Sequence, residues 1–342
     1  MKIAVDGMGG DHSPYEIVKG CIDALEEMSG NILIVGDKDL IGSELDQYTY
    51  DQSRITVVHT TETITNDDQP VKAVRGKKDS SMVVGMNLLK EKKIDGFISA
   101  GNTGALMTGA LLILGRIPGI DRPSLTAVYP NPAIKRACLL VDAGANAECK
   151  ATNLVEFGVM GSIYCEKVLN IDKPRVGLVN IGTEANKGTS VVKNAYKKLE
   201  KTNLNFIGNV EARELQNGVA DVIVCDGFVG NVILKLSEGV ALSFIQLMKN
   251  KLKESLVAKI GAMILYGKLK DLKKELDYSE YGGAPILGVK GAVVKMHGSS
   301  EAKAVKNAIL KAIPYIQNNV VDIIHDEVVN LQGSYSEEVG DE

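Results

Sequence analysis

The chain has 342 residues, of which 45% are hydrophobic and 24% are charged, and its formal net charge is −4. This composition supports the core of a large globular protein of one or two domains. The negative charge gives no general attraction to nucleic acid, so we expect no nucleic-acid partner. The opening MKIAVDGMGG has no basic segment followed by an apolar run, so we expect a cytoplasmic protein rather than a secreted one.

Short runs rich in Val, Ile and Leu recur along the chain, and a polar turn and a helical pattern follow each of them. This alternation predicts a three-layer α/β/α fold with a mostly parallel sheet. We expect one domain over residues 1–331 and an acidic, polar tail at 332–342 that frays. The predicted strands are Lys2–Asp6, Asn31–Val35, Arg54–His59, Ile94–Ser99, Ser124–Tyr129, Ala137–Asp142, Arg175–Asn180, Asn203–Ile207, Ala220–Cys225 and Ala292–Met296.

Polar, Gly-rich loops follow seven of these strands. Because ligands bind outside the carboxyl ends of strands in open α/β sheets, we expect these loops to form one crevice. Each loop alone also has a structural interpretation, in which Asp6, Asp142 or Asp226 bonds nearby backbone N–H groups. Seven such loops together favour a ligand site. The loops are GMGGDH at 7–12, AGNTG at 100–104, AGAN at 143–146, IGTEANKG at 181–188, NVEAR at 209–213, GFVGN at 227–231 and HGSS at 297–300.

The loop after Ser99 is the best candidate for an anion site. It precedes the helix-like run 105–114, so its backbone N–H groups lie at the positive end of a helix dipole. A tight packing turn in which Thr103 caps the helix is an equally good interpretation. The loop matches neither GxGxxG nor the ATP-type P-loop, and we expect no cofactor.

A basic segment, VKAVRGKKDSSM at 71–82, precedes this loop. Arg75 and Lys78 are candidates to meet the same anion, because they lie next to the potential helix caps Ser80 and Ser81. Lys77 is expected to face water, as most surface charges do. The histidines and cysteines of the chain lack paired metal-ligand spacing, so we expect no metal.

The segment 243–277 has apolar positions at helical spacing, surrounded by lysines. Its run 262–266 is too short to span a bilayer, which takes about 20 residues. We expect a helical hairpin at 250–270 that docks on an anionic membrane or packs on a partner subunit. An amphipathic helix packed on the protein's own core has equal weight. The candidate membrane-contacting residues are Leu252, Leu256, Ile260 and Met263.

A set of motifs in fixed order resembles a known family over nearly the whole chain, from Met1 to about Leu331. These motifs are VDGMGGDHSP, KKDSSM, ISAGNTGALM, LGRIPGIDRP, VDAGAN, NIGTE, GNVEAR, DGFVGN, YGGA and HGSS. They closely resemble the bacterial phosphate acyltransferases of the PlsX type, which act in phospholipid synthesis. Gly7 departs from that pattern, in which alanine is expected.

The resemblance implies a fold related to isocitrate and isopropylmalate dehydrogenases and to phosphotransacetylases. It implies a homodimer and peripheral membrane association through the hairpin. It also implies the reaction of an acylated acyl carrier protein (acyl-ACP) with inorganic phosphate, which gives acyl phosphate and free ACP. The product would be consumed by a membrane glycerol-3-phosphate acyltransferase.

Inorganic phosphate is the nucleophile in such a reaction, so no catalytic serine or cysteine is required. Asn102 is a catalytic candidate, and His12 or His297 is the candidate proton donor to the leaving thiolate. Lys187 and Arg213 are candidates for docking the acidic ACP. The expected substrate-binding residues are Ser99, Gly101, Thr103, Gly104, Arg75, Lys78, Ser81, Asp142, Asn146, Lys187, Asn209, Asp226 and Asn231. A dehydrogenase of the related fold and a non-enzymatic scaffold that is recruited to membranes are the alternative functions.

Overall fold

The computed structural model describes residues 1–131, 136–275 and 282–339. In this part of the chain eleven strands form one sheet, in the order β3-β2-β1-β4-β11-β10-β5-β6-β9-β7-β8. The strands are β1 Lys2–Asp6, β2 Asn31–Gly36, β3 Ile55–His59, β4 Gly96–Ser99, β5 Ser124–Asn131, β6 Arg136–Val141, β7 Val176–Asn180, β8 Phe206–Glu211, β9 Val222–Val224, β10 Ala284–Leu287 and β11 Ala292–Lys295.

Helices cover both faces of the sheet. They are α1 Tyr15–Leu25, α2 Lys38–Leu45, α3 Pro70–Gly76, α4 Ser81–Lys90, α5 Thr103–Gly109, α6 Ala151–Lys167, α7 Ser190–Leu199, α8 Gly227–Lys253, α9 Leu256–Ile264, α10 Tyr266–Glu275, α11 Ala302–Gln317 and α12 Val320–Val339. A π-helical turn, Ala110–Leu114, continues α5.

Side chains of one strand alternate between two cores, as the period of a strand requires. In β1, Ile3 and Val5 belong to the core that α1, α6 and α11 cover, whereas Ala4 belongs to the core of α4 and α5. The predicted three-layer arrangement is therefore confirmed.

All ten predicted strands are present, with small differences at their ends. The largest shift is in β8, which begins at Phe206 rather than at Asn203. The strand β10 was not predicted, because its four residues, APIL, include a proline, which is uncommon inside sheets.

The unpredicted strand changes the geometry of the sheet. The strands β3, β2, β1, β4 and β11 are mutually parallel, and so are β6, β9, β7 and β8. Between these blocks, β10 is antiparallel to β11 and to β5, and β5 is antiparallel to β6. The second block therefore runs opposite to the first, and its carboxyl ends lie at the other edge of the sheet.

The prediction of a single crevice formed by seven loops is consequently wrong. The loops 7–12, 100–104 and 297–300 form one group, which we call the first loop group. The second loop group lies at the opposite edge and consists of the loops 143–146 and 181–188, the segment 209–213 and the segment 227–231. Two of these predicted loops have regular structure, since 209–213 is the end of β8 and the start of a 3-10 helix, and 227–231 is the start of α8. Any site that uses both groups must extend along a face of the sheet.

The segment expected to form a hairpin at 250–270 contains the end of α8, all of α9 and part of α10, so the helical hairpin is not confirmed. The helix α9 packs on both α8 and α10. By length and composition alone α8 is long and apolar enough to cross a membrane, with a mean hydropathy of 1.5. The helix α12 continues to Val339 through most of the predicted tail, and residues 340–342 lie outside the described residues.

Candidate active site

A buried carboxylate, Asp6, lies at the centre of the first loop group. Its Oδ2 accepts the hydroxyl of Ser99 at 2.7 Å, and its Oδ1 accepts the N–H of Met8 at 3.2 Å. The hydroxyl of Ser81 and the N–H of Gly9 also bond to it. Burial raises the pKa of Asp6, while these donors act in the opposite direction.

The predicted binding residues Ser99 and Ser81 thus bond inside the protein. The Ser99 hydroxyl donates to Asp6 and accepts the N–H of Gly101 at 3.0 Å, and its residue is fully buried. A Cβ on Gly9 would lie 2.7 Å from the Gly101 nitrogen. Only glycine permits this close approach of the loops after β1 and β4. Ser81, Ser99 and Gly9 therefore fix the conformation of the loops from inside the protein.

The side chain of Asn102 uses both ends of its amide to fix the same loop. Its Oδ1 caps α5 by accepting the N–H of Ala105 at 3.0 Å. Its Nδ2 donates to the carbonyls of Thr65, Asn66 and Asp68 at 3.1–3.3 Å. Among the described residues we find no acceptor for the N–H groups of Asn102, Thr103 and Gly104. These three donors remain for a ligand.

A buried lysine that the sequence analysis missed lies beside this loop. Lys295, at the end of β11, is 8% exposed, and its Nζ donates to the carbonyl oxygens of Ala100, at 3.3 Å, and of Met296. Burial lowers its pKa to about 8, although Asp6 and Asp11 act in the opposite direction. The signal in the sequence is a lysine inside an otherwise apolar strand run.

The histidine candidates lie on joined loops of the first group, since the N–H of Asp11 donates to the carbonyl of Gly298 at 2.7 Å. Both His12 and His297 are exposed. The Nδ1 of His297 accepts the N–H of Ser299 at 3.2 Å and lies 2.8 Å from its hydroxyl.

The basic segment 71–82 has a mixed outcome. Arg75 and Lys78 are exposed on and after α3, and Ser80 caps α4 by accepting the N–H of Val83. The expectation that Lys77 faces water is wrong. Its Nζ lies 2.6 Å from Asp68 and donates to the carbonyl of Thr63 at 2.8 Å, so it fixes the loop that Asn102 also holds.

A cavity of about 600 Å³ runs along α5 and reaches both loop groups. Thr103 and Gly104 line one end, and Gly144, Ala145 and Asn146 line the other. The segment 116–123 contributes Arg116, Asp121, Arg122 and Pro123. This segment belongs to the motif LGRIPGIDRP, whose arginines are not among the residues predicted to bind substrate.

A second buried carboxylate, Asp142, organises loop 143–146. It accepts the N–H groups of Gly144, Ala145 and Asn146 at 2.7–3.1 Å, and the side-chain amide of Asn146 at 2.8 Å. Burial raises the pKa of Asp142, and these donors act against that effect. A Cβ on Gly230 would collide with the Asp142 carbonyl oxygen, so α8 begins in direct contact with this loop.

The start of α8 brings two further candidates to this end of the cavity. Asp226 is the N-cap of α8 and accepts the N–H of Val229 at 2.8 Å, which is the structural role considered for it. The exposed Asn231 lies beside Gly144. Both residues therefore adjoin the cavity-lining loop 143–146.

The remaining candidates lie away from the cavity lining. The Nδ2 of buried Asn209 donates to the carbonyl of Glu184 at 2.9 Å, while its Oδ1 has no partner within the described part of the chain. Lys187 is exposed in the same loop as Glu184. Arg213 forms ion pairs with Glu211 at 2.8 Å and Glu214 at 3.4 Å. Among the residues that the structure describes, no cluster of His, Cys, Asp and Glu suits a metal ion.

The sequence is similar to known proteins over nearly its full length. A sequence profile described as "Fatty acid synthesis protein" matches residues 1–323. A phosphate acyltransferase of Alkaliphilus oremlandii is 56% identical over 331 residues, which are 97% of this chain and 98% of that protein. A phosphate acyltransferase of Clostridioides difficile is 52% identical over 339 residues, with 99% of this chain and 98% of that protein covered.

Solved structures share the fold at much lower identity. A phosphotransacetylase from Streptococcus pyogenes aligns with a TM-score of 0.62 and 18% identity, covering 93% of this chain and 94% of that chain. A 4-hydroxythreonine-4-phosphate dehydrogenase from Klebsiella pneumoniae aligns with a TM-score of 0.51 and 12% identity, covering 91% and 98%. The predicted fold, shared by phosphotransacetylases and a group of dehydrogenases, is confirmed.

The buried charge of Lys295 has a measurable effect on stability. Its pKa of about 8 lies below the unfolded value of 10.5, so the folded state disfavours the ionised form below pH 8. Replacing Lys295 by Met should therefore raise the free energy of unfolding at pH 7, by up to roughly 3 kcal/mol. The gain should shrink as the pH rises from 8 towards 10.5.

Urea denaturation at several pH values measures this difference. The matched control is Lys93→Met, because Lys93 is an exposed lysine on the loop before β4. Lys93→Met should change the free energy of unfolding little, and this small change should not depend on pH. A Lys295→Met protein less stable than wild type at pH 7 would contradict the assignment of a costly buried charge.

Proposed function

Since this chain belongs to the family of fatty acid synthesis proteins, which includes curated phosphate acyltransferases, it is a phosphate acyltransferase, and we propose that acyl-ACP is its acyl donor. Inorganic phosphate attacks the thioester carbonyl, and the products are acyl phosphate and free ACP. The acyl phosphate then serves a membrane glycerol-3-phosphate acyltransferase. A dehydrogenase activity is not favoured, because the dehydrogenase that shares the fold has only 12% sequence identity to this chain.

The observation that carries the proposal is the set of free donors at the start of α5. The N–H groups of Asn102, Thr103 and Gly104 lie at the positive end of the helix, and Thr103 and Gly104 line the cavity. The ammonium group of Lys295 lies behind the same loop. These groups suit a phosphate dianion, and Arg75 or Lys78 supplies further positive charge from the exposed segment nearby.

The acyl thioester occupies the cavity beside α5, where its carbonyl faces the bound phosphate. Apolar side chains such as Met107 and Leu111 line this part of the cavity and suit an acyl chain. Neither His12 nor His297 lines it. The leaving group therefore departs as a thiolate, which a thiol pKa near 8.5 makes possible without a proton donor.

ACP is an acidic protein, so its docking surface on this chain must carry local positive charge. Lys187 suits this role better than Arg213, because the guanidinium of Arg213 is already paired with two carboxylates. We assign carrier docking to the exposed loop 181–188, and not to the overall charge, which is negative.

Membrane association uses the apolar surface of α9. Leu256, Met263 and Ile264 are each more than 75% exposed, and Ile260 is 55% exposed. Lysines at 249, 251, 253 and 259 lie close to these residues in the sequence and suit anionic headgroups. We favour contact of α9 with the membrane surface over a crossing of the membrane by α8, because α8 packs on β5 and β6.

The homodimer is assigned to the apolar stripe on α8. Phe228, Val232, Leu236 and Val240 are all at least half exposed and recur every four residues. The stripe continues into a groove of about 450 Å³, lined by Leu236, Gly239, Val240, Ser243, Phe244 and Leu247. A second copy of α8 matches such a stripe, since helices associate through rows at this spacing.

Release of free ACP from acyl-ACP, dependent on added phosphate, tests the reaction. Asn102→Ala should lower kcat/KM by about 100-fold. The substitution removes the N-cap of α5 and the hydrogen bonds to the carbonyls of residues 65, 66 and 68, so the three N–H donors are no longer held in place. Asn205→Ala removes a similar exposed amide bond to the carbonyl of Lys173 and should leave the rate unchanged. An Asn102→Ala enzyme within a few-fold of wild type would contradict the site, and no phosphate-dependent release by wild type would contradict the function.

Co-sedimentation with vesicles that contain anionic lipid tests the membrane role. The double variant Leu256→Glu/Ile260→Glu should lose most of the binding, because two charges replace the apolar contact. The control Leu40→Glu/Val329→Glu changes two similarly exposed apolar residues elsewhere and should bind as wild type does. Equal binding by all three proteins would remove the role of α9.

Sedimentation velocity tests the assignment of the dimer. Leu236→Glu/Leu247→Glu should convert a dimer into a monomer, because each stripe would then bring like charges together. The Leu40→Glu/Val329→Glu protein again serves as the control and should stay dimeric. A dimer that survives the α8 substitutions would place the interface elsewhere.

A further inference from the structure

The two ends of the cavity beside α5 are chemically different. Thr103 and Gly104 form one end, and the segment 116–123 and loop 143–146 form the other. Because a helix rises 1.5 Å per residue, the cavity-lining residues Thr103 and Leu111 between these ends lie about 12 Å apart along the helix. A single phosphate contacts only one end, whereas an extended substrate meets both.

The backbone donors at the far end are already occupied. The N–H groups of Gly144, Ala145 and Asn146 all donate to Asp142. The side-chain amide of Asn146 donates to Asp142 and to the carbonyl of Pro123, both at 2.8 Å. A ligand at this end must therefore find its donors in the segment 116–123.

The two arginines of that segment have different surroundings. Arg116 donates to the carbonyl of Asp121 and lies 3.4 Å from the Asp121 carboxylate. Arg122 is exposed and lines the cavity, and the described part of the chain provides no hydrogen-bond or ion-pair partner for its guanidinium. Arg116 thus holds the turn, and Arg122 has all its donors available.

The backbone that carries Arg122 is held on both sides. The carboxylate of Glu156, on α6, accepts the N–H of Asp121 at 3.0 Å and also that of Arg122. On the other side, the carbonyl of Pro123 accepts the amide of Asn146. A guanidinium on a fixed turn binds an anion at a lower entropic cost than one on a free loop.

We propose that Arg122 binds a phosphate-type oxyanion at this end of the cavity and that Glu156 is the residue that positions it. This inference rests on the proposed function for the identity of the substrate. The oxyanion is either the phosphodiester of the carrier's pantetheine arm or inorganic phosphate itself. The arm has its phosphodiester at the end remote from the thioester, so a thioester near Thr103 directs that group towards Arg122.

Kinetics of Arg122→Ala with acyl-ACP and phosphate test the site. Loss of a charge-assisted contact should raise one of the two KM values by about 10- to 100-fold. Arg122→Lys should recover only part of it, since an ammonium cannot bind two oxygens in a fork. Lys93→Ala, which removes one exposed charge from the loop before β4, is the control and should match wild type.

A thioester of pantetheine, which has no phosphate, distinguishes the two sources. If Arg122 binds the phosphodiester, wild type and Arg122→Ala should use this donor equally well. If Arg122 binds inorganic phosphate, the raised KM for phosphate should persist with it. Arg122→Ala values within twofold of wild type for both substrates would overturn the proposal.

Direct binding separates this inference from the proposed reaction. Calorimetry with phosphopantetheine, pantetheine and inorganic phosphate needs no turnover. Arg122→Ala should weaken binding of phosphopantetheine or of phosphate about tenfold or more and leave pantetheine unchanged. Unchanged binding of all three would overturn the proposal, whereas absence of turnover by wild type would overturn only the reaction.

Glu156→Gln tests the positioning role. Burial raises the pKa of Glu156 to about 6, with Asp121 adding to the rise and the N–H groups and Asn153 opposing it. The Asp121 carboxylate that faces it is in turn close to Arg116 and Lys150. Below pH 6 the KM that depends on Arg122 should rise in wild type relative to Glu156→Gln.

Dividing the KM of wild type by the KM of Glu156→Gln at each pH cancels the effect of phosphate titration, which is the same for both proteins. The ionised Glu156 is disfavoured by burial above pH 6, so Glu156→Gln should be at least as stable as wild type at pH 7. A raised KM in a stable variant indicates positioning. A wild-type KM with the same pH profile as that of Glu156→Gln would overturn the role of Glu156.

Discussion

The conformation of both loop groups depends on a carboxylate that is buried at the end of a strand. Asp6 collects donors from Ser81, Ser99 and its own loop, and Asp142 collects those of the loop that follows it. A buried carboxylate without donors costs several kcal/mol, so each loop must adopt the conformation that supplies them. Burial raises the pKa of both groups, and the bonds that oppose this effect are the same bonds that shape the site.

The sequence predicts where these loops lie but not which way their donors point. A polar residue after a strand fits a ligand contact and an internal bond equally well. Ser99 and Asn102 both bond internally, and the donors left for a ligand are the backbone N–H groups that the position of the loop before a helix predicts. The side-chain contacts expected from Ser99 and Asn102 are therefore replaced by internal bonds, whereas phosphate binding by the backbone of this loop stays a prediction.

Two further features depend on contacts between distant parts of the chain. The reversal of the second block of strands depends on β10, a short strand with a proline, which sequence periodicity does not detect. Lys295 lies in an apolar run, where a lysine usually turns to solvent, but in the fold it is buried and its Nζ donates to the Ala100 carbonyl in the loop after β4. The contact between Glu156 and Asp121 joins residues 35 positions apart.

The reversal of the strands also gives the cavity a shape that suits the extended substrate proposed above. If all loops met at one edge, the donors would surround a single point, which suits a small anion. Because the blocks are opposed, the donors at Thr103 and the guanidinium of Arg122 lie at the two ends of a channel along α5. A protein of net charge −4 can then place positive charge at separate points along that channel. The distance between these points, rather than the total charge, decides the length of substrate that fits.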